Sequence, residues 1–276
     1  MITIIGVGIM NFQWLFDRPI AHRGLHDAQY PENSLPAFQK AIERNFNIEI
    51  DVHLSRDKHL VVFHDDNLKR VCGIDKLVRK CTLAELKSFK LNGTEYTIPT
   101  FEEFLALVDG KVGILCEIKG VNPLDNSIVK ATIAASKNYK GNIALQSFNF
   151  GAVKYARNHC ELPTGGLYTW CSPDTKNPRW FFAGWMGKMW LTKATKAQFV
   201  AYDIRACAPE LSENKWLKKM GTKLPVLNWT VNTKERIETA RKYANNIIFE
   251  DLDPDYIEQC VGTFMPFKCE KLPKDC

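Results

Sequence analysis

The sequence predicts a closed (β/α)8 barrel, on three observations. Short apolar runs alternate with helical stretches along nearly the whole chain, and about eight such units fit within its 276 residues, close to the roughly 250 of a single barrel. No GxGxxG or Walker loop follows a strand to mark an open nucleotide-binding sheet. The chain is therefore expected to be one domain over residues 1–276.

The strands are expected at 19–22, 47–54, 59–63, 112–118, 142–147, 164–168, 198–204, 224–229 and 246–250. Each is a short run rich in β-branched or other apolar residues. Helices are expected between them at 34–45, 82–90, 100–109, 125–139, 149–159, 210–220 and 233–244. Two stretches break the rhythm. Residues 65–110 hold more helix than one crossover needs, which predicts a small inserted lobe after the second barrel strand. Residues 169–197 carry Trp170, Trp180, Phe181, Phe182, Trp185 and Trp190. They read either as a packed helix covering the barrel or as a hydrophobic lip at the mouth of the site.

Composition narrows the class. Apolar residues make up 45% and charged residues 25%, as in an ordinary globular chain and unlike a disordered or membrane-spanning one. The formal net charge of +6 is spread along the chain. That is too diffuse for nucleic-acid binding but suits an anionic small-molecule substrate. The nine cysteines form no CxxC pair, so free thiols in a reducing cytoplasm are expected, with Cys260, Cys269 and Cys276 clustered near the C-terminus. The opening MITIIGVGIM lacks a basic leader and is too short to span a bilayer, so residues 1–13 read as a non-essential extension and no stable membrane insertion is expected.

In a barrel of this kind the active site lies at the C-terminal ends of the strands. The first strand ends in His22-Arg23-Gly24, the second carries Glu49 and Asp51, and the run 60–63 leads to His64-Asp65. Residues two apart on a strand share a face, so Glu49 and Asp51 point together, as do Glu117 and Lys119. Like charges held side by side call for a cation, and a hard divalent ion takes oxygen ligands. Two histidines can act as general base and general acid, and a metal with nearby cations can hold a phosphate. His53 is placed off the site. Asn33, just before a helix, suits a cap that orients His22 or a metal ligand.

The stretch AHRGLHDAQYPENSLPAFQKAIERNFNIEIDVHLSRDKHLVVFHDDNLKR resembles the N-terminal signature of the glycerophosphodiester phosphodiesterases. It supplies His22-Arg23-Gly24, Pro31-Glu32-Asn33-Ser34, Ala37-Phe38, Glu49-Ile50-Asp51 and His64-Asp65. Later segments match as well: CTLAELKSF, IPTFEEFL, Glu117-Ile118-Lys119, Gln146-Ser147-Phe148 and Trp229 to Asn232. The resemblance runs from about Pro19 to Asp255. It implies a (β/α)8 barrel with a short insertion after the second strand, and metal-dependent hydrolysis of glycerophosphodiesters to sn-glycerol 3-phosphate and an alcohol. It further implies His22 and His64 as the acid–base pair, with Glu49, Asp51 and Glu117 holding Mg²⁺ or Ca²⁺. Arg23 and Lys119 would contact phosphate and Trp229 would line the alcohol or glycerol pocket. Glu32, Asn33, Gln146 and Glu250 would support the site. The chain departs from the family pattern at Phe249-Glu250-Asp251, where Thr-Asp is usual, and at Lys58, where Gly is usual. Two other readings remain: a lysophospholipase D, favoured by the aromatic stretch 169–197, and an inactive barrel used for binding.

Overall fold

A computed structural model describes residues 12–120, 122–169, 189–207 and 224–266. Eight parallel strands close on themselves: β1 (Ile20–His22), β2 (Asn47–Leu54), β4 (Ile114–Ile118), β5 (Ile143–Ser147), β6 (Thr164–Tyr168), β7 (Phe199–Asp203), β8 (Val226–Val231) and β9 (Asn246–Phe249). β1 pairs with both β2 and β9, which seals the barrel. β3 (Leu60–Val62) is not a barrel strand. It folds back antiparallel on the end of β2, with Val52 opposite Val62 and Leu54 opposite Leu60.

Each barrel strand is covered on both faces, so both its inward and its outward residues are buried, the polar ones of β2 included. Outward residues such as Ile48, Ile50, Ile114 and Val226 pack against the helices, including α2 (Leu35–Glu43) and α5 (Phe101–Val108). Inward residues, one from most strands, fill the barrel: Ile20, Leu115, Ala144, Leu167, Ala201, Leu227 and Ile248. Phe12 and Leu15 belong to this inner cluster and are fully buried. The barrel therefore includes Phe12, inside the stretch expected to be dispensable; residues 1–11 lie outside the described part.

β3 and the segment after it build a core of their own from Val61, Phe63, Leu68, Val71, Val78, Cys81, Leu86, Leu91 and Ile98. It contains α3 (Lys69–Cys72), a 3₁₀ turn at Val78–Lys80 and α4 (Leu83–Ser88). Thr82 and Thr100 open α4 and α5 with reciprocal capping boxes to Glu85 and Glu103, satisfying amides the helix cannot pair itself. α2 is capped by Ser34, whose side chain accepts from the Ala37 amide, and not by Asn33; the amide of Asn33 is used elsewhere.

The helices at Ser127–Ser136 (α6), Phe150–His159 (α7) and Lys234–Tyr243 and the strands agree with the expected spans to within a few residues. Of the aromatic stretch 169–197, residues 170–188 lie outside the described part, as does the expected helix 210–220. No described helix is long and apolar enough to cross a membrane. Cys72, Cys81, Cys116, Cys160 and Cys260 are free thiols, and Cys269 and Cys276 lie outside the described residues.

Candidate active site

The parallel register assembles the site. His22 on β1 pairs with Glu49 on β2; Asp51 on β2 pairs with Glu117 on β4, and Glu117 pairs with Gln146 on β5. Because Ile48 and Ile50 face the helices, Glu49 and Asp51 face the barrel interior by alternation. Ligand oxygens of Glu49, Asp51 and Glu117 all lie within 4.8 Å of one another, and all three residues are buried.

The loop after β1 holds the next layer. Arg23 and Asn33 both adopt left-handed backbone, with φ of 55° each, a conformation that costs energy for a non-glycine residue and often marks a functional turn. Gly24, at φ 85°, sits so close to α2 that a Cβ there would meet the Ala37 carbonyl carbon at 2.8 Å; only glycine fits the turn. The Arg23 amide donates to Glu49 Oε2 (3.3 Å), and its guanidinium donates to Glu32 Oε1 (2.8 Å) and lies 3.5 Å from Asp51 Oδ2. Asn33 Nδ2 donates to Asp51 Oδ2 (2.9 Å).

Lys119 Nζ lies 2.8 Å from Asp51 Oδ1 and 2.6 Å from Glu117 Oε1. Burial and the neighbouring carboxylates push Glu49 well above the usual carboxylate range, and burial lifts Glu117 to about 7 despite Lys119. Burial opposes ionisation of Asp51 too, but the charges of Lys119, Arg23 and His64 hold it far below that range. Three buried carboxylates with two of them driven toward the protonated form are chemically suited to a hard divalent cation. Gln146 donates to Glu49 Oε1 at 3.5 Å, and its buried Oε1 has no hydrogen-bond partner among the described residues. The donor set thus fits Mg²⁺ or Ca²⁺.

Each histidine is held by a carboxylate. His22 Nδ1 is 2.6 Å from Glu250 Oε2, leaving Nε2 3.9 Å from Glu49 Oε2. His64 Nδ1 is 2.6 Å from Asp65 Oδ1. Burial lowers both histidines below their ordinary value, against the hydrogen bonds they give to their carboxylates. Glu250, although partly desolvated, is kept strongly acidic by His22 and His26. The site mouth is a cavity of about 620 Å³ lined by His64, Asp65, Arg70, Glu117, Lys119 and Phe148, among others. Trp229 packs edge-on against Phe148, ring centroids 5.6 Å apart, and forms an apolar wall.

Some functional neighbours were not anticipated. Arg70 ties the segment after β3 to the site, donating to Glu32 through both terminal nitrogens (2.6 and 2.7 Å) and to Asp65 through Nε (2.7 Å). His53, expected off the site, lies two residues beyond Asp51 on the same face of β2; it is buried, with Nε2 3.1 Å from the His64 carbonyl oxygen. Strand alternation alone would have placed it there. Arg70 left no comparable signal, since it sits on a short helix and one of its partners, Glu32, is 38 residues away.

The glycerophosphoryl diester phosphodiesterase family model matches residues 22–253. A glycerophosphodiester phosphodiesterase of Caldanaerobacter subterraneus subsp. tengcongensis is 31% identical over 250 residues, covering 86% of this chain and 94% of that protein. YhdW of Bacillus subtilis is 34% identical over 156 residues, 52% of this chain and 63% of its own length. Among solved structures, an Oleispira antarctica phosphodiesterase in complex with the product sn-glycerol-3-phosphate superimposes with a TM-score of 0.71 at 24% identity, over 88% of this chain and 96% of that one; this likeness establishes the shared barrel. The chain belongs to the glycerophosphoryl diester phosphodiesterase family and is an enzyme that hydrolyses glycerophosphodiesters.

Proposed function

We propose that the enzyme releases sn-glycerol 3-phosphate and an alcohol by metal-dependent, two-histidine acid–base catalysis. The observation that carries this reading is the placement of two carboxylate-oriented histidines beside three clustered carboxylates. Mg²⁺ or Ca²⁺ held by Glu49, Asp51 and Glu117 would supply Lewis-acid polarisation of phosphoryl and hydroxyl oxygens.

The side chains do the rest. Arg23 and Lys119 offer N–H donors to the non-bridging phosphoryl oxygens, where charge grows in the transition state. Trp229 and Phe148 wall the carbon skeleton of the glycerol half. One histidine takes the proton of the attacking hydroxyl at Nε2, and the other gives a proton to the leaving alcohol oxygen. Glu250 and Asp65 fix the Nδ1–H tautomers, leaving each Nε2 free for that exchange. Glu32, Asn33 and Gln146 support the site, Glu32 through Arg23, Asn33 through Asp51 and Gln146 through Glu49. The attacking hydroxyl is the substrate's own glycerol 2-hydroxyl, for which intramolecular attack gains about 7 kcal/mol or more when well oriented. It expels the alcohol and closes a cyclic glycerol phosphate, which water then opens at the O2–P bond to give sn-glycerol 3-phosphate, with the two histidines exchanging acid and base roles. We assign the enzyme to the reducing cytoplasm, in keeping with the free thiols among its described residues.

The test is a diester whose 2-hydroxyl is replaced by hydrogen. Loss of turnover, with a transient cyclic glycerol phosphate from the parent compound, is the expected result. Turnover of the deoxy substrate at the parent rate would make water the nucleophile.

A further inference from the structure

Beside the catalytic mouth lies a second cavity of about 480 Å³, large enough for a small polar head group. The two cavities share Asp66, Lys119 and Gly120 as common walls. The second is strongly cationic. Arg56 and Lys58 reach it from the turn between β2 and β3, and Arg79 and Lys80 from the 3₁₀ turn; Lys119 stands at the junction. Among the described residues, two carboxylates, Asp66 and Asp125, line the same space.

Lys119 is already paired with Asp51 and Glu117, but the other cations are little used within the fold. Among the described residues no carboxylate lies within 4.0 Å of Lys58, Arg79 or Lys80, and Arg56 reaches Glu85 only at 3.8 Å. The ten-residue helix α6 also begins at this wall, with Ser127 and Ile128 lining it, but its Ser127 amide already donates to Asp125 Oδ1 (2.9 Å), so the positive charge of the cavity comes from the side chains. A concave wall of one sign focuses field onto a ligand of the other sign.

Position says which part of the substrate would enter. The aromatic wall of Phe148 and Trp229 belongs to the β5 and β8 side of the mouth, whereas the cationic cavity opens beyond Lys119 on the β2–β3 side. With the glycerol half against the aromatics and the phosphoryl group at Lys119, the alcohol half projects into the cationic cavity. Building on the catalytic reading above, we propose that this cavity is an anion subsite for the leaving alcohol. The preferred substrates are glycerophosphodiesters whose alcohol carries a phosphate group of its own.

The test compares glycerophosphoglycerol with glycerophosphoglycerol 3-phosphate, which differ by one phosphate on the leaving alcohol. The wild type is expected to favour the phosphorylated diester in kcat/KM by about tenfold or more, the combined effect of several exposed ion pairs. In the double variant Arg79→Glu/Lys80→Glu that preference is expected to fall by about tenfold or more, while kcat/KM for glycerophosphoglycerol is unchanged. The wild-type preference should also shrink as ionic strength rises and the screening length contracts from about 30 Å at 0.01 M to about 3 Å at 1 M. Lys58→Glu is expected to act in the same direction. Equal kcat/KM for the two diesters in the wild type, or a preference that survives Arg79→Glu/Lys80→Glu, would overturn the subsite and leave the catalytic reading standing. Failure of the wild type to turn over either diester with metal present would overturn both.

Discussion

His22 Nδ1 lies 2.6 Å from Glu250 Oε2, joining the first barrel strand to the end of the last. The carboxylate fixes the imidazole tautomer and raises its proton affinity, partly offsetting the lowering that burial imposes. Glu250→Gln keeps the shape and removes the charge. It is expected to lower kcat by about 10- to 100-fold, as for other outer-shell partners. Losing a group that raises the His22 pKa moves that pKa down, so the limb of the pH–rate profile reporting His22 shifts to lower pH. An unchanged kcat with both limbs in place would remove Glu250 from the mechanism.

The carboxylate cluster makes metal binding pH-dependent. With Glu117 lifted to about 7 in the metal-free protein, a cation must displace a proton there below neutrality. Titration calorimetry with Mg²⁺ or Ca²⁺ should show affinity falling by about tenfold per pH unit below that value for each proton displaced. EDTA should abolish activity and either cation restore it. Asn33→Ala, which strips Asp51 of its amide donor, should weaken metal binding by about 10- to 100-fold.

Arg70 links Glu32 and Asp65 across the mouth. Although burial works against it, hydrogen bonds from Arg70 and His64 hold Asp65 down at about 2, below its ordinary 3.8. A depressed carboxylate stabilises the fold above its unfolded value and loses that contribution as pH falls toward the folded one. Arg70→Ala is therefore expected to cost about 1 kcal/mol at neutral pH, given how exposed the arginine is. The gap to wild type in urea melts should close as pH falls from about 4 toward about 2. A gap constant over that range would show that Asp65 does not depend on Arg70.

Phe12 is fully buried within the barrel's inner cluster. Phe12→Ala should destabilise the protein by about 3–5 kcal/mol, as for other buried aromatics, measured by denaturant unfolding. A loss below about 1 kcal/mol would mean that the barrel closes without it.

How much of this was legible follows from the range of each interaction. Glu49 and Asp51 were readable because two residues on one strand share a face whatever the rest of the fold does. Phe12 was misjudged because a single apolar residue after an apolar leader has no periodicity to reveal it. The choice between Asn33 and Ser34 as helix cap was invisible, since both are good caps and only the position of Asp51 decides which is free. The Glu250–His22 contact joins residues 228 apart. It exists only because β1 and β9 close the barrel, a long-range fact that no local pattern carries. The side-chain composition of the cationic cavity has the same origin, coming from a turn, a 3₁₀ segment and the end of β4.

The proposed catalysis needs His22 and His64 to exchange protons with the substrate in opposite states. The most direct measurement is kcat for His22→Ala and His64→Ala at saturating Mg²⁺ or Ca²⁺, on glycerophosphoglycerol and on a glycerophosphodiester with a p-nitrophenol leaving group. Each variant should lose about 10²- to 10⁴-fold on the natural alcohol. One of them, the variant lacking the acid, should recover most of that loss on p-nitrophenol, which leaves without being protonated. Either variant keeping kcat within about tenfold of wild type on glycerophosphoglycerol, or neither recovering on p-nitrophenol, would contradict the two-histidine mechanism.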